Sequence, residues 1–110
     1  MSIREPTEAD IQRTLFQYLE ARGCVVVRVN SGAVKVGGRL VRFNRSPGCS
    51  DLLVCLPGGR MAALEVKRLK EHPTPAQLMF LDRVRRCGGI GAVVRSTADV
   101  DAVLAEAAGE

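Results

Sequence analysis

Residues 51–67 read DLLVCLPGGRMAALEVK, and this stretch decides the fold that we predict. Its apolar runs, residues 51–56 and 61–67, are predicted to be neighbouring strands because a Pro-Gly-Gly turn separates them. The first run is apolar on both faces, which is typical of a buried central strand. In the second run, Glu65 and Lys67 lie two residues apart and therefore point to the same face.

Helices and further strands are predicted on both sides of this pair. They comprise a helix from about Thr7 to Arg22, a strand from Cys24 to Val29, a hairpin (34–36 and 39–43), a helix that begins after Thr74 and ends at Cys87, a strand from Ile90 to Arg95, and a helix capped by Ser96. The order α-β-β-β-β-β-α-β-α ends in a strand–helix–strand unit, which implies a parallel crossover. We predict an α/β fold with a central mixed sheet flanked by helices, in a single domain over residues 1–110.

The hairpin pattern separates apolar from basic side chains. If the hairpin closes on Gly37 and Gly38, one face carries an apolar set and the other carries Lys35 and Arg42. The apolar set is Val34, Val36, Val41 and Phe43.

Two carboxylates and a lysine are predicted to meet at one end of the sheet. Asp51 opens its strand and Glu65 lies near the end of the next, so the two can converge beside Lys67. Such oxygen ligands suit a hard divalent cation, Mg²⁺ or Mn²⁺. The ion can polarise a phosphoryl oxygen, and the lysine can orient or deprotonate a water or offset developing charge. The alternative is that Glu65 and Lys67 are solvent-facing residues of an edge strand.

Helical phase adds two polar residues to this set. At about 100° per residue, Glu8 falls in the middle of the apolar face of the first helix, and Gln77 does so in the second long helix. A buried carboxylate is costly without a partner, so both residues are candidates to reach the site. Since both lie in a first helical turn, the alternative is that they only cap helix ends.

The net charge of +4 is unevenly distributed. No acidic residue lies between Glu20 and Asp51, and a basic block fills this interval: Arg22, Arg28, Lys35, Arg39, Arg42 and Arg45. A segregated basic block predicts an anionic partner, with nucleic acid the first candidate, although a solvated Arg-rich surface is the alternative. From this block we expect DNA contacts from Lys35, Arg39, Arg42 and Arg45, with Arg68 added after the second strand.

Composition excludes several other classes of protein. No apolar run approaches the 18–20 or so residues of a membrane helix, so no membrane partner is expected. The four cysteines form no CxxC pair and there is one histidine, which argues against structural zinc and histidine-relay chemistry. Cysteine usage favours a reducing cytosol, and we predict a cytoplasmic protein of a phage or bacterial host.

The ordered set of these residues resembles the PD-(D/E)XK nuclease superfamily and, within it, a minimal stand-alone form of the virus-type replication-repair nuclease (VRR-NUC) family. The motifs that carry the resemblance are Glu8 with Ile11-Gln12, Gly48 to Leu52, Leu64-Glu65-Val66-Lys67, Thr74-Pro75-Ala76-Gln77 and Val93-Val94-Arg95-Ser96. They extend over nearly the whole chain. One departure is Ser50, since the family usually has Pro before the Asp.

The resemblance implies a restriction-endonuclease-like core and a metal-dependent endonuclease acting on DNA phosphodiesters. It gives metal-ligand roles to Asp51, Glu65 and the Val66 carbonyl, a catalytic role to Lys67, and supporting roles to Glu8 and Gln77. Stand-alone members look like dimeric enzymes of DNA repair that cut branched DNA, including four-way (Holliday) junctions. The alternatives are a nuclease without branch specificity, one acting on RNA, and a non-catalytic DNA-binding module on the same fold.

Overall fold

The computed structural model describes residues 4–29, 32–42 and 46–110, which form three helices and six strands. In chain order they are α1 (Glu8–Ala21), β1 (Val25–Arg28), β2 (Ala33–Val36), β3 (Arg39–Arg42), β4 (Leu52–Cys55), β5 (Met61–Val66), α2 (Pro75–Arg86), β6 (Ile90–Val94) and α3 (Thr97–Ala107). The predicted element order is confirmed, and each boundary lies within about two residues of the prediction.

Four of the strands form a mixed sheet in the order β1-β4-β5-β6. β4 pairs antiparallel with both β1 and β5, whereas β5 and β6 are parallel and connected through α2. The predicted parallel crossover is therefore present. β5 lies in the middle of this sheet, so its last residues are surrounded by protein rather than by solvent.

The main hydrophobic core lies between one sheet face and the helices α1 and α3. Alternate residues of the strands point into it, among them Leu52, Leu64 and Val94, and the helices contribute Leu15 and Val100. Because α1 covers this face, the beginning of the helix is held near the ends of β4 and β5. The fold thereby positions Glu8 near the strand ends where the predicted site lies.

On the other sheet face, α2 packs closely against β5 and β6. A Cβ atom at Gly91 of β6 would lie 2.5 Å from the carbonyl oxygen of Leu81, which is closer than any side chain allows. The absence of a side chain at Gly91 thus lets α2 approach the sheet directly.

The part of this second face formed by β1 and β4 carries apolar side chains that reach solvent. Val25 and Val27 are 67% and 55% exposed, Cys55 is exposed and Leu53 is half-buried. The register places Val25 opposite Cys55 and Val27 opposite Leu53, so these four residues form one patch, here termed the open sheet face. The prediction that both faces of β4 are buried is therefore wrong for this face, because α2 packs on β5 and β6 instead.

The hairpin of β2 and β3 forms a separate two-stranded sheet. Gly37 and Gly38 have φ values of 55° and 78°, which suit a two-residue turn of type I′ and are readily adopted by glycine. The register places Val34 opposite Val41, with Val36 on the same face, and Lys35 and Arg42 on the other, as predicted. Phe43 lies outside the described residues.

Capping boxes close the N-termini of two of the three helices in the described ranges. Thr7 with Asp10 and Thr74 with Gln77 form complete capping boxes. The predicted cap of α3 is wrong in detail: Ser96 occupies the N-cap of α3, but its side chain makes no capping hydrogen bond. A carboxylate oxygen of Asp99 accepts a hydrogen bond from the backbone nitrogen of Arg95, which precedes the helix. Within the described ranges, no helix is long and apolar enough to cross a membrane.

Candidate active site

The beginning of β4 and the end of β5 bring Asp51, Glu65 and Lys67 together. Asp51 immediately precedes β4, and its Oδ2 accepts a hydrogen bond of 2.8 Å from the Val66 backbone nitrogen. The backbone nitrogen of Lys67 donates to the Val94 carbonyl at 3.1 Å. This hydrogen bond extends the sheet by one residue and fixes the direction of the lysine side chain. The convergence predicted from strand geometry is thus observed.

Glu65 and Lys67 point to the same face and form a buried ion pair. Lys67 Nζ lies 3.6 Å from Glu65 Oε1, and the two side chains are 11% and 2% exposed. Because β5 is an inner strand, the alternative of a solvent-facing pair on an edge strand is wrong. A buried pair of this kind must be held by its surroundings, since removing either partner would leave an uncompensated charge.

Glu8 reaches the same place from the first turn of α1. One carboxylate oxygen from each of Glu8, Asp51 and Glu65 lies within 4.8 Å of the other two. We refer to these three residues as the carboxylate cluster. Glu8 and Asp51 are half-buried and Glu65 is buried, so the cluster opens towards solvent on the side of Glu8 and Asp51.

The crowding of carboxylates alters their affinity for protons. Burial raises the pKa of Glu65 to about 8, the negative charge of Asp51 adds to this rise, and the Lys67 ammonium opposes it. Burial also raises the pKa of Glu8, again opposed by Lys67 and assisted by Asp51. Without a cation, the cluster therefore retains a proton near neutral pH that isolated carboxyl groups would release.

These residues fit a hard divalent cation. Three carboxylates face a single ammonium, which leaves excess negative charge in a confined space. Glu65 Oε2 is buried and has no hydrogen-bond partner among the described residues, so one ligand atom is free to accept a cation. All three side chains offer oxygen, the donor preferred by Mg²⁺ and Mn²⁺. The cluster could thus hold such an ion once the retained proton leaves.

Gln77 is half-buried at the start of α2, and its side chain is engaged locally. Its Oε1 accepts a hydrogen bond of 2.8 Å from the Thr74 nitrogen, which completes the capping box. The prediction of a helix-end role is confirmed. A further role of Gln77 at the cluster stays a prediction. Because Oε1 is engaged, this role would require the amide nitrogen Nε2.

The predicted DNA-contacting residues differ in their surroundings. Lys35, Arg39 and Arg42 are exposed and form no ion pair with any described residue. Arg68 is bound to acidic residues, at 3.6 Å to Glu5 and 3.4 Å to Glu71. Arg45 lies outside the described residues.

Two residues near the cluster were given no role of their own from the sequence. Ser50, immediately before Asp51, is fully buried, and its hydroxyl has no hydrogen-bond partner in the described part of the chain. Arg95 donates to the carbonyl oxygens of Arg68 at 3.3 Å and Glu71 at 2.8 Å. The resemblance had marked Arg95 only as part of a motif, and nothing local in the sequence indicates its partners, which lie 24 or more residues earlier.

Comparison with solved structures finds similar folds, and two of them have almost the same extent as this chain. A chain described as "VRR_NUC domain" is 32% identical, with a TM-score of 0.62, and the match covers 88% of this chain and 92% of that one. A "VRR_NUC domain protein" is 17% identical with a TM-score of 0.62, and this second match supports the fold alone. No protein-family model and no curated protein sequence matches the chain. The α/β fold with a restriction-endonuclease-like core is confirmed.

Proposed function

Because this chain belongs to the VRR_NUC family and is a nuclease of that family, we propose that it is a metal-dependent, structure-specific DNA endonuclease. Its substrate is branched DNA, such as a four-way (Holliday) junction, and its reaction is hydrolysis of a phosphodiester bond. The observation that carries the proposal is the meeting of Glu8, Asp51 and Glu65 within 4.8 Å, next to Lys67.

Each residue of the site has a distinct part in this proposal. Asp51, Glu65 and Glu8 would hold Mg²⁺ or Mn²⁺, together with the carbonyl of Val66. The ion, when bound, polarises the phosphoryl oxygen and lowers the pKa of a coordinated water. Lys67 orients the attacking water or offsets charge that develops on the phosphate, a role that suits an ammonium held beside the cluster. Gln77 supports the site from α2.

The basic hairpin is proposed to carry the DNA backbone towards the cluster. β1 ends beside β4, where the Val29 nitrogen donates to the Asp51 carbonyl at 2.8 Å. The chain therefore leaves the sheet towards the hairpin at the same strand ends that carry the site. Lys35 and Arg42 share one of its faces and are exposed, which suits contacts with successive phosphates.

The salt dependence of binding tests this DNA path. Each phosphate neutralised steepens the plot of log affinity against log salt by about 0.9 on duplex DNA. Replacing Lys35 and Arg42 by alanine should therefore weaken binding to all sequences and flatten the slope by up to about 2. Fluorescence anisotropy in EDTA between 50 and 200 mM salt, roughly, measures this. Arg83→Ala with Arg86→Ala removes the same charge from α2 as a control. If only the Arg83 and Arg86 variant flattens the slope of log affinity against log salt, the DNA path would lie over α2.

A symmetric homodimer completes the proposal. Resolution of a four-way junction needs two related cuts, and a two-fold dimer supplies two sites on opposite strands. Several apolar residues outside the core are available for such contacts, including the open sheet face and, on α2, Leu78 and Met79 at 48% and 66% exposure. An isolated two-stranded hairpin is also marginally stable in water, so the exposed β2–β3 hairpin would gain from a partner.

One panel of cleavage and sedimentation measurements tests the proposal. Linear, flap and four-way DNA of matched sequence, and an RNA duplex, are incubated with Mg²⁺, Mn²⁺ or EDTA. We expect cleavage of the four-way junction in preference to linear DNA, none in EDTA, and a sedimenting mass of about twice 11.9 kDa. Equal cutting of linear DNA by a monomer would leave a nuclease without branch specificity. Binding without cleavage under every condition would favour the non-catalytic module.

A further inference from the structure

A short turn follows the site directly and is rigidly held. The Glu71 nitrogen donates to the Arg68 carbonyl at 3.0 Å, so Leu69 and Lys70 form the tip of a turn that we call the 68–71 turn. The Arg95 guanidinium donates to the carbonyls at both ends of this turn, and the Arg95 backbone is itself bonded to Asp99. Arg68 is further tied to Glu5 and Glu71. The tip therefore has a fixed position relative to the sheet.

An apolar side chain occupies this tip. Leu69 is 82% exposed, more than any other large apolar residue in the described ranges, where Val25 follows at 67%. Val25 has apolar neighbours across the sheet, whereas Leu69 is flanked in sequence by Arg68 and Lys70. Exposing a leucine on a turn that is held by several hydrogen bonds gives the fold no burial of apolar surface in return. A bound ligand would supply that burial.

The turn also lies next to the reaction centre. Leu69 is two residues from Lys67, so their Cα atoms are at most about 7 Å apart. A phosphate held at Lys67 would place the adjoining bases near the tip of the turn. Lys70, which is exposed and makes no ion pair with a described residue, can meet the neighbouring phosphate.

We propose that Leu69 is a wedge that enters between the bases beside the cut phosphate, with the 68–71 turn as its rigid support. Apolar wedges of this kind open a base step at the cost of lost stacking. At a branch point that stacking is already interrupted, so the wedge enters more readily there than in continuous duplex. This inference rests on the proposed nuclease function and adds to it a residue that determines preference for branched DNA.

The test is base unstacking, which does not depend on catalysis. In EDTA, a 2-aminopurine base at the branch point of a four-way junction should brighten by about twofold or more when wild-type protein binds, and much less with Leu69→Ala. Leu69→Met keeps an apolar side chain of similar length and should restore the signal. Met61→Ala is the matched control, because Met61 is also exposed but lies at the opposite end of β5, about 20 Å away.

Cleavage and sedimentation measurements complete the test of the wedge. With Mg²⁺, Leu69→Ala should reduce the ratio of junction to linear cleavage by about tenfold, and Met61→Ala should leave the ratio unchanged. Equal brightening with Leu69→Ala and wild type would overturn the wedge. Loss of the dimer by Leu69→Ala with unchanged brightening would also overturn it and assign Leu69 to a protein contact. If wild type unstacks the base but never cuts, the proposed nuclease function fails while the wedge stands.

Discussion

Replacing Glu65 by glutamine, or Asp51 by asparagine, is expected to lower DNA cleavage by about a thousandfold or more while the chain remains folded. Both changes remove a carboxylate ligand from the carboxylate cluster, and a bound divalent ion supplies several kcal/mol of stabilisation in the transition state. About 1.4 kcal/mol corresponds to a tenfold change in rate. Single-turnover cleavage of a four-way junction at fixed Mg²⁺, together with urea unfolding, measures both effects.

Related substitutions separate chemistry from structure. Asp51→Asn retains an oxygen that can accept the Val66 hydrogen bond, whereas Asp51→Ala leaves that backbone nitrogen unpaired and should cost about 1–3 kcal/mol of stability. Both variants should fail to cut. Lys67→Ala should cut poorly yet still bind Mn²⁺, and Glu8→Gln should have a smaller effect, since the charge of Glu8 acts on Glu65 less strongly than the charge of Asp51 does. Cleavage by Glu65→Gln at the wild-type rate would refute the assignment of the site.

The stability of the metal-free protein is expected to fall as the pH rises from about 5 to 8. The folded state holds the pKa of Glu65 at about 8, above the ordinary value of 4.5 in the unfolded chain. Between these values the folded state keeps a proton that the unfolded state has lost, so the stabilising contribution is complete below 4.5 and disappears as the pH passes 8. The free energy of unfolding should decline by up to about 1.4 kcal/mol per pH unit in this window.

Urea unfolding in EDTA at pH 5, 6, 7 and 8, roughly spanning the window, tests this expectation, with Glu65→Gln as the control. The variant lacks the titrating group, so its stability should change much less with pH. Metal binding should show the opposite trend: because a cation must displace the retained proton, Mn²⁺ affinity should rise about tenfold per pH unit up to pH 8. Identical pH profiles for variant and wild type would contradict the assignment of the proton to Glu65.

Much of the site could be predicted because it depends on local periodicity. The two-residue period of a strand places Glu65 and Lys67 on one face, and helical phase brings Glu8 onto the apolar face that packs against the sheet. Asp51 could be added because a short turn fixes which strands are neighbours. These features follow from distances of a few residues along the chain.

Other features depend on how distant elements pack and have no local signal. The apolar pattern of β4 correctly indicates an inner strand, yet it contains nothing to indicate that α2 leaves Leu53 and Cys55 only partly covered. Ser96 has the right residue type for a cap, yet its side chain makes no capping hydrogen bond, and the nearby Asp99 accepts from the Arg95 backbone nitrogen before the helix. Arg95 donates hydrogen bonds to the 68–71 turn, and these residues come close together only when β5 and β6 pair.

The separate hairpin sheet makes the segment between β1 and β4 an exchangeable cassette. Among the described residues, the backbone hydrogen bond from Val29 to Asp51 lies where this segment leaves the paired strands β1 and β4. Doubling the length of a connecting loop costs only about 0.6 kcal/mol in closure entropy. Evolution or engineering can therefore lengthen, shorten or replace the hairpin without repacking the four-stranded sheet.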